Sequence, residues 1–573
     1  MKFTPQQTIQ RMAAISLVGL VVGLASALAT IGFVELVRYL NDILFVSPSS
    51  RAGLDPNQLW MITVVVLTAG GLIVGLALQY GVEGGMQTGP VDTIYAVQLQ
   101  EHLPSPRSGL ISTAAAILSL GCGASVGQYG PLVYLGTLVA QLTNRLPFRL
   151  SDARSIAIAC GVAAAISTAF NAPIAALIFT HEVILRHYSL RMFTAVTVAS
   201  ACGYLVANEI FQHPPLFLIA FDGSFRGVEF FLFALEGIAC GTLAVLFMKL
   251  LQYASKLSSR IKTAAAIRPM IAGFIMSLVA LQVPEVLGAG QEVFSQASQD
   301  GAYTADALLL ILVTKLLVTI LCIGFGFAGG VIFPALLIGV LFGALFALLV
   351  PGQLLNDYSG LSVYAVCGMV ALTSPVIGAP MTALLMVFEL TRNYEITIAA
   401  MVAIVFANLI AYHWYGRSLY DFQLRERGID LSMGRERAYL MHHTVANYVT
   451  DSLPVVPSDI SLSELRDRMA AKSTASAVVI DHDRKYLGLV LQHQLRDQHD
   501  NASIGSIEIE AATEFNESTS IWDAMETMRG YIGEAIPVVD SVNGRYLGAI
   551  PESVVINAYL DAAQELRREE YEV

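Results

Sequence analysis

The chain has few charged residues for its length. Lys, Arg, Asp and Glu make up 14% of the 573 residues, whereas hydrophobic residues make up 55%, and the mean hydropathy is +0.62. A soluble domain needs a charged surface, and about a quarter of its residues are usually charged. The composition therefore excludes a protein that is soluble over most of its length, and most of the chain must face lipid or other protein.

Cysteine is also scarce, and nothing in its spacing suggests a metal site or a disulfide. The six cysteines lie in apolar segments, without a CxxC pair or a nearby histidine at ligand spacing: Cys122, Cys160, Cys202, Cys240, Cys322 and Cys367. We expect them to be small core residues, and we predict no metal or other resident cofactor in the membrane part.

The chain also lacks a recognisable catalytic set. His181-Glu182 followed by His187 is similar to a zinc protease motif, but the second histidine is two residues too far along for HExxH. The formal net charge of −12 offers no basic surface for nucleic acid. We therefore predict neither an enzyme nor a nucleic-acid-binding protein.

Long apolar runs fill the first three quarters of the chain. They occupy residues 12–37, 59–78, 230–251, 308–323 and 396–412. Runs of this length are typical of membrane-spanning helices, and the first is too long for the apolar part of a signal peptide. The predicted fold class is an α-helical polytopic membrane protein, with residues 1–440 as its membrane domain.

The membrane domain repeats its own spacing. Three landmarks of its first half recur at identical intervals in its second: Cys160-Gly161 with Cys367-Gly368, Asn171-Ala172-Pro173 with Gly378-Ala379-Pro380, and Glu182 with Glu389. The upstream residues Gly127, Pro131 and Gly136 likewise correspond to Gly330, Pro334 and Gly339. The spacing predicts two related halves, about 12–212 and 228–416, with a binding site between them.

Three clusters of glycine and proline interrupt the apolar runs. They span residues 84–90 (the first cluster), 127–131 (the second cluster) and 326–334 (the third cluster), and each opens a run of helical composition. A helix that starts inside a membrane exposes backbone N–H groups and the positive end of its dipole there. The three clusters therefore predict a site for a small anion.

The last quarter of the chain has a different composition. Five arginines between residues 417 and 437 predict that the last membrane helix ends on the cytoplasmic side. Most of the acidity lies beyond them, with about twenty-two Asp and Glu against about ten Lys and Arg after residue 440. We therefore predict a soluble cytoplasmic domain over residues 441–573.

The same α/β pattern occurs twice in this tail, over about 445–500 and 501–561. The first copy has a predicted helix at 462–472 and strands at 477–481 and 486–490, and the second has a helix at 521–529 and strands at 535–540 and 546–550. The shared core resembles a tandem pair of CBS modules. Such modules bind adenine nucleotides in some proteins, but a structural role that contacts the second subunit is at least equally compatible with these residues.

The membrane domain resembles the CLC family of chloride channels and transporters. The resemblance rests on residues 161–182, on GGVIFP at 329–334 and on GRSLY at 416–420. It implies an inverted-repeat fold of interrupted and tilted helices, and a homodimer with one chloride path per subunit. We expect this protein in a bacterial inner membrane, with the CBS pair in the cytoplasm.

The resemblance also implies a set of chloride ligands. In the family a side chain of the first cluster, backbone amides of the third cluster and a tyrosine after the last membrane helix hold the anion. These positions are Gln87 and Thr88, then Val331, Ile332 and Phe333, and then Tyr420. Lys315 corresponds to a basic residue that would raise anion occupancy, or alternatively its ammonium group caps a backbone carbonyl.

Two departures from the family pattern bear on mechanism. Family exchangers carry a glutamate gate where this chain has Tyr129, between Gln128 and Gly130, and a second proton-carrying glutamate where it has Val183. A phenol, with an ordinary pKa of about 10, stays neutral and cannot replace a titrating carboxylate. We therefore predict a chloride-selective channel or uncoupled permease that conducts passively, with the CBS pair as its candidate regulator.

The alternative is a proton-coupled chloride antiporter that uses other acids. Glu101 and Glu182 are the candidates for its proton carriers. Both activities occur on one architecture, so the fold alone does not choose between them.

Overall fold

The computed structural model describes residues 5–99, 103–143, 153–212, 225–299, 301–355, 358–496, 502–504, 507, 509 and 513–571. The chain divides into two compact units, Met1–Arg427 and Gly428–Glu572.

The first unit is built from helices. They are α1 (Pro5–Ile43), α2 (Pro48–Arg51), α3 (Pro56–Gly81), α4 (Pro90–Gln98), α5 (Pro106–Gly121), α6 (Tyr129–Thr143), α7 (Ala153–Phe170), α8 (Pro173–Phe179), α9 (Leu190–Leu205), α10 (Glu229–Arg260), α11 (Ile267–Ala280), α12 (Gln291–Ala297), α13 (Ala305–Gly324), α14 (Ile332–Leu349), α15 (Pro351–Leu354), α16 (Leu361–Ile377), α17 (Pro380–Thr391), α18 (Tyr394–Trp414) and α19 (Leu419–Glu426). Wider π-helical turns extend α8 over Thr180–Leu185 and α9 over Val206–Ile210.

Seven helices of the described chain are long and apolar enough to cross a membrane. The five apolar runs predicted to span lie within α1, α3, α10, α13 and α18. The other two spans contain α9 and α14. Several further apolar helices, among them α8, α16 and α17, are too short to cross a bilayer alone, as expected of interrupted helices.

The repeated residues occupy equivalent positions in the two halves. A Cβ atom added to Gly136 would lie 2.3 Å from the carbonyl oxygen of Gly161, and one added to Gly339 would lie 2.5 Å from that of Gly368. Only glycine permits α6 to approach α7, and α14 to approach α16, this closely. The repeated glycines are therefore the contacts that allow each half to pack.

Equivalent chain reversals separate the two helices of each pair. Asn171 has φ of 57° between α7 and α8, and Gly378 has φ of 72° between α16 and α17. Asn and Gly are the residues that most readily adopt this left-handed conformation. Pro173 and Pro380 then begin the next helix, where the missing N–H costs nothing.

The second unit contains two small sheets with the same topology. Its strands are β1 (Val455–Pro457), β2 (Ser476–Ile480), β3 (Tyr486–Leu491), β4 (Phe515–Asn516), β5 (Ala535–Val539) and β6 (Tyr546–Pro551), and its helices are α20 (Arg435–His442), α21 (Leu462–Lys472), α22 (Ile521–Met528) and α23 (Glu552–Tyr571). In each sheet the first strand pairs in parallel with the second, which pairs antiparallel with the third. The six predicted tail elements are present, and the short strands β1 and β4 were not predicted.

The second unit begins earlier than the predicted boundary at 440/441. Leu440, at the end of α20, belongs to the same hydrophobic core as Ile521, Ile536 and Ile550 of the second CBS copy. Burial of this helix against the tail explains why residues 428–440 separate from the membrane unit.

Candidate anion site

The three glycine clusters meet between the two halves. Gly127 and Gly330 exchange backbone hydrogen bonds, at 2.8 Å and 2.6 Å, and form an antiparallel bridge. The side chain of Gln87 donates to the carbonyl oxygen of Gly329 at 2.8 Å and accepts from its N–H group at 2.6 Å. The starts of α4, α6 and α14 are thereby joined by hydrogen bonds around one region.

This geometry gives Gln87 a bracing role. Both ends of its amide group are engaged with the backbone of the third cluster, across 242 residues of sequence. Thr88 remains as the hydroxyl of the first cluster. Its backbone N–H donates to Ser112, and its own hydroxyl, which approaches that of Tyr134, makes no hydrogen bond of normal geometry within the described residues.

Tyr420 supplies a second buried hydroxyl without a protein partner in the described chain. The residue lies in the first turn of α19, and α19 packs against α4 and α16. Buried hydroxyl groups normally find an acceptor, so unmatched donors at such a position suit a bound anion.

The backbone amides of the third cluster lie at the start of α14. Val331 caps this helix, and Ile332 and Phe333 are its first residues; all three are buried. The first N–H groups of a helix have no acceptor within it, and they carry the positive end of the dipole. These three amides are thus suited to an anion, as predicted from the motif.

Tyr129 is the first residue of α6 and is completely buried. Its ring stacks on Phe170 with centroids 3.6 Å apart, and its centroid lies 5.8 Å from that of Phe333. Gln128 approaches its hydroxyl group, and a Cβ atom on Gly130 would lie only 2.8 Å from the Cα atom of Gly330. The Tyr129 ring therefore lies between Phe170 of the first half and Phe333, at the start of α14, in the second half.

Lys315 is buried on α13, and its ammonium group is used locally. Nζ donates to the carbonyl oxygens of Val286 and Gly288, at 2.8 Å and 2.7 Å. The N–H of Gly288 in turn donates to the carbonyl oxygen of Gly123, just before the second cluster. The contacts of Lys315 therefore match the alternative in which its ammonium group caps backbone carbonyl groups. Any effect of Lys315 on the anion site would be electrostatic and would act without a direct contact.

A cleft of about 450 Å³ lies at the end of the membrane unit from which the chain continues into the tail. We call it the α8–α19 cleft, because residues from the end of α8 and the start of α19 line it, including Glu182, Val183, Arg186, Ser418 and Asp421. Val183 places an apolar side chain in this cleft.

Glu182 also lines this cleft, but its carboxylate is fully engaged. It accepts from the N–H groups of Met381 and Thr382, at 3.0 Å and 2.8 Å, and from the Thr382 hydroxyl at 2.7 Å. Glu182 therefore caps the start of α17.

The second half contains the matching contact. Glu389 accepts from the N–H groups of Ile174 and Ala175 at the start of α8, at 2.8 Å and 2.7 Å. The repeated glutamates thus bind reciprocally across the two halves, each at the start of the helix that carries the other. Their role is explained by the exposed amides at a helix N-terminus.

Two ion pairs hold the helix that carries Tyr420. Arg186 binds Asp421 at 2.6 Å, and Arg427 binds Asp92 at 2.9 Å. Asp421 and Asp92 are themselves capping residues, since Asp421 accepts from the Ser418 hydroxyl and Asp92 from the N–H of Gly89. The sequence analysis missed these pairs, although Ser418 and Asp421 have the spacing of a helix cap.

Glu101, the other candidate proton carrier, lies outside the described residues. Within the described ranges, no group of three or more His, Cys, Asp or Glu residues is arranged to hold a metal ion.

Interrupted helices that meet between two related halves, with amides and hydroxyls at their junction, define an anion transport protein. The family model described as voltage gated chloride channel matches residues 70–412, and the model of the CBS domain matches residues 445–498 and 510–561. The chain belongs to the CLC family and carries a tandem CBS domain, so the predicted fold class is confirmed.

Known relatives carry names of both mechanistic types. The chain is 29% identical over 408 residues to the "Putative chloride channel protein ClcB-like" of Ralstonia nicotianae, covering 70% of this chain and 94% of that protein. It is 28% identical over 345 residues to the "H(+)/Cl(-) exchange transporter ClcA" of Vibrio campbellii, covering 58% and 71%. The solved structure of a slow cyanobacterial Cl⁻/H⁺ antiporter shares the fold, with a TM-score of 0.65, 22% identity, and coverage of 72% and 98%. Family membership establishes anion transport. It does not decide whether that transport is coupled to protons, which depends on the site residues.

Proposed function

We propose that this protein is a chloride-selective channel or uncoupled permease that conducts passively. The observation that carries the proposal is the chemistry of the two positions where family exchangers handle protons, because Tyr129 and Val183 occupy them. A valine cannot bind a proton, and a phenol stays neutral over the physiological pH range. Neither side chain can alternate between a charged and a neutral form as chloride passes.

The chloride ligands are proposed to be the Thr88 and Tyr420 hydroxyls and the amides of residues 331–333. Their burial, and the absence of other partners for the two hydroxyls in the described chain, support this assignment. Gln87 contributes by holding the third cluster in place. Tyr129, with Gln128 and Gly130 on either side, acts as the gate.

The contacts of Glu182 argue against the coupled alternative. A proton carrier must release its partners when it becomes neutral, whereas this carboxylate receives three hydrogen bonds that hold α17. Protonating Glu182 would loosen the packing of the two halves, so it is a poor shuttle.

The alternative remains a proton-coupled chloride antiporter. It is favoured by the name of the Vibrio relative, an H(+)/Cl(-) exchange transporter that shares 28% identity with this chain. Its proton carriers would have to be acids outside the two usual positions. Glu101 is one such acid in the sequence.

We place the protein in a bacterial inner membrane as a homodimer with one chloride path per subunit. The arginines between residues 417 and 437 support a cytoplasmic tail. In this arrangement the CBS pair regulates the path from inside the cell through α19, which carries Tyr420 and is held by the two ion pairs.

The decisive experiment is reconstitution into liposomes under an outward chloride gradient, with chloride efflux and external pH recorded together. Efflux that needs only potassium and valinomycin as a charge shunt, without proton movement, is expected. Stoichiometric proton uptake that is driven by the chloride gradient would overturn the passive mechanism. Tyr129→Glu provides a matched variant, since it restores a titratable group at the gate and should make efflux pH-dependent.

A further inference from the structure

A carboxylic acid is buried in the second half of the membrane unit, away from the anion site. Glu236 lies two turns after the start of α10 and has no exposed surface. The backbone of Gly368 approaches it, but neither carboxyl oxygen makes a hydrogen bond of normal geometry within the described residues. Acidic residues inside a membrane are costly, and they commonly serve a function.

Among the described residues, the surroundings of Glu236 offer no compensating positive charge. On α14 its nearest neighbour is Gly343, where an added Cβ atom would lie 2.9 Å from Oε1. The nearby titratable groups are Cys240 on α10 itself, and Tyr364 and Cys367 on α16.

The two other neighbouring helices contribute no charge either. Helix α18 packs on α10 with the backbone of Ala403 and Ala407, and α13 meets α10 further along, where Gly324 faces Ala254. An ionised carboxylate in such surroundings costs several kcal/mol. The observed packing therefore gives an ionised carboxylate at Glu236 no compensating partner among the described residues.

Polar groups connect Glu236 with the start of α10. Glu229 lies two helical turns, about 10 Å, before it. The Glu229 carboxylate accepts from the N–H and hydroxyl groups of Ser359 and, at 3.3 Å, from the Tyr364 hydroxyl. Since Tyr364 also lies near Glu236, it offers an intermediate hydroxyl through which a proton can reach the buried acid.

We propose that Glu236 is a proton-binding site and that loss of this proton slows anion transport. The link is α14, which begins with the anion-binding amides at Ile332 and Phe333 and passes Glu236 at Gly343. An ionised carboxylate would have to draw water or a donor into the tight α10–α14–α16 contact, and the resulting separation would displace α14. The inference does not depend on whether transport is passive or coupled.

The test is chloride efflux from liposomes, with potassium and valinomycin as the charge shunt and the same pH on both sides of the membrane. The pH is varied from about 6 to about 9, a range that includes documented midpoints of buried glutamates. Wild-type efflux is expected to fall about tenfold per pH unit above the midpoint of Glu236. Glu236→Gln, which mimics the neutral acid, should transport at the wild-type low-pH rate throughout. Glu395→Gln is the matched control, because this exposed carboxylate lies at the start of α18, which runs parallel to α10, and it should keep the wild-type profile.

Infrared spectroscopy provides a readout that is independent of transport. The wild-type protein should show the C=O band of a protonated carboxylic acid, and Glu236→Gln should lack it. If that variant does not fold, the wild-type band must disappear over the same pH range in which efflux falls. A flat wild-type profile, an unchanged pH dependence in Glu236→Gln, or a carboxylic acid band that persists in the variant would overturn the proposal.

Discussion

Replacing Tyr129 with alanine should increase chloride flux, because its ring is proposed to close the path. The ring stacks on Phe170 with centroids 3.6 Å apart and an interplanar angle of 15°. Such a pair contributes about 0.5–1.5 kcal/mol beyond simple burial. If the ring must leave this stack for an anion to pass, the stack favours the closed state by that amount. Since 1.4 kcal/mol corresponds to a factor of ten, Tyr129→Ala should raise flux by about two- to tenfold.

The matched control is Tyr129→Phe, which keeps the stacked ring and removes the hydroxyl group. It should conduct close to the wild-type rate in the liposome efflux assay, at equal protein-to-lipid ratios. A rise of similar size in both variants would assign the gate to the hydroxyl and its neighbour Gln128 instead. Unchanged or reduced flux in Tyr129→Ala, with the protein folded, would refute the argument that the ring obstructs the path.

Three further predictions concern stability. Glu182→Gln should lower the free energy of unfolding by about 2–4 kcal/mol, because its amide cannot accept all three hydrogen bonds that hold α17; thermal unfolding in detergent measures this, and a neutral effect would contradict the capping role. Lys315→Met should cost about 2–6 kcal/mol, since two buried carbonyl groups lose their donor, and a lower chloride affinity without loss of stability would instead indicate an electrostatic role. Hydrogen bonds from the backbone N–H of Asn543, and then Val542, lower the pKa of Asp540 in the tail. The stability that this carboxylate contributes should therefore be present above about pH 4 and disappear as the pH falls further. Asp540→Asn should differ from wild type in urea unfolding at pH 7 and converge with it on acidification, and a constant difference would contradict the assignment.

Local properties of the sequence account for much of this architecture. Apolar length predicts the spans because every spanning helix must satisfy the same bilayer thickness. The internal repeat can be recognised from the sequence because each half needs glycine at the same helix crossing, as Gly136 and Gly339 illustrate. In the tail, the predicted helix at 462–472 has the observed bounds of α21, since burial at helical spacing (Leu462, Leu465 and Met469) and a serine cap define it locally.

The residues of the proposed anion site also fall into two groups, those that local sequence features predict and those that depend on tertiary packing. Motif resemblance proposed the Tyr420 hydroxyl and the α14 amides as anion ligands, because helix starts and their glycines are local features. The direction in which a side chain points depends on contacts with distant parts of the chain, so local sequence does not predict it. Gln87 was predicted to contact the anion, yet in the fold its amide pairs with Gly329, 242 residues away.

The sequence alone therefore determined that this chain spans a membrane in two related halves and that glycine and proline clusters interrupt its apolar runs. Only the tertiary structure decided what the remaining polar side chains do. Glu182 caps a helix of the opposite half, Lys315 binds two carbonyl groups, and Glu236 has no hydrogen-bond partner among the described residues. The physical reason is that a buried polar group takes its role from the donor or acceptor that packing brings within about 3 Å, and packing joins residues that are far apart in the chain.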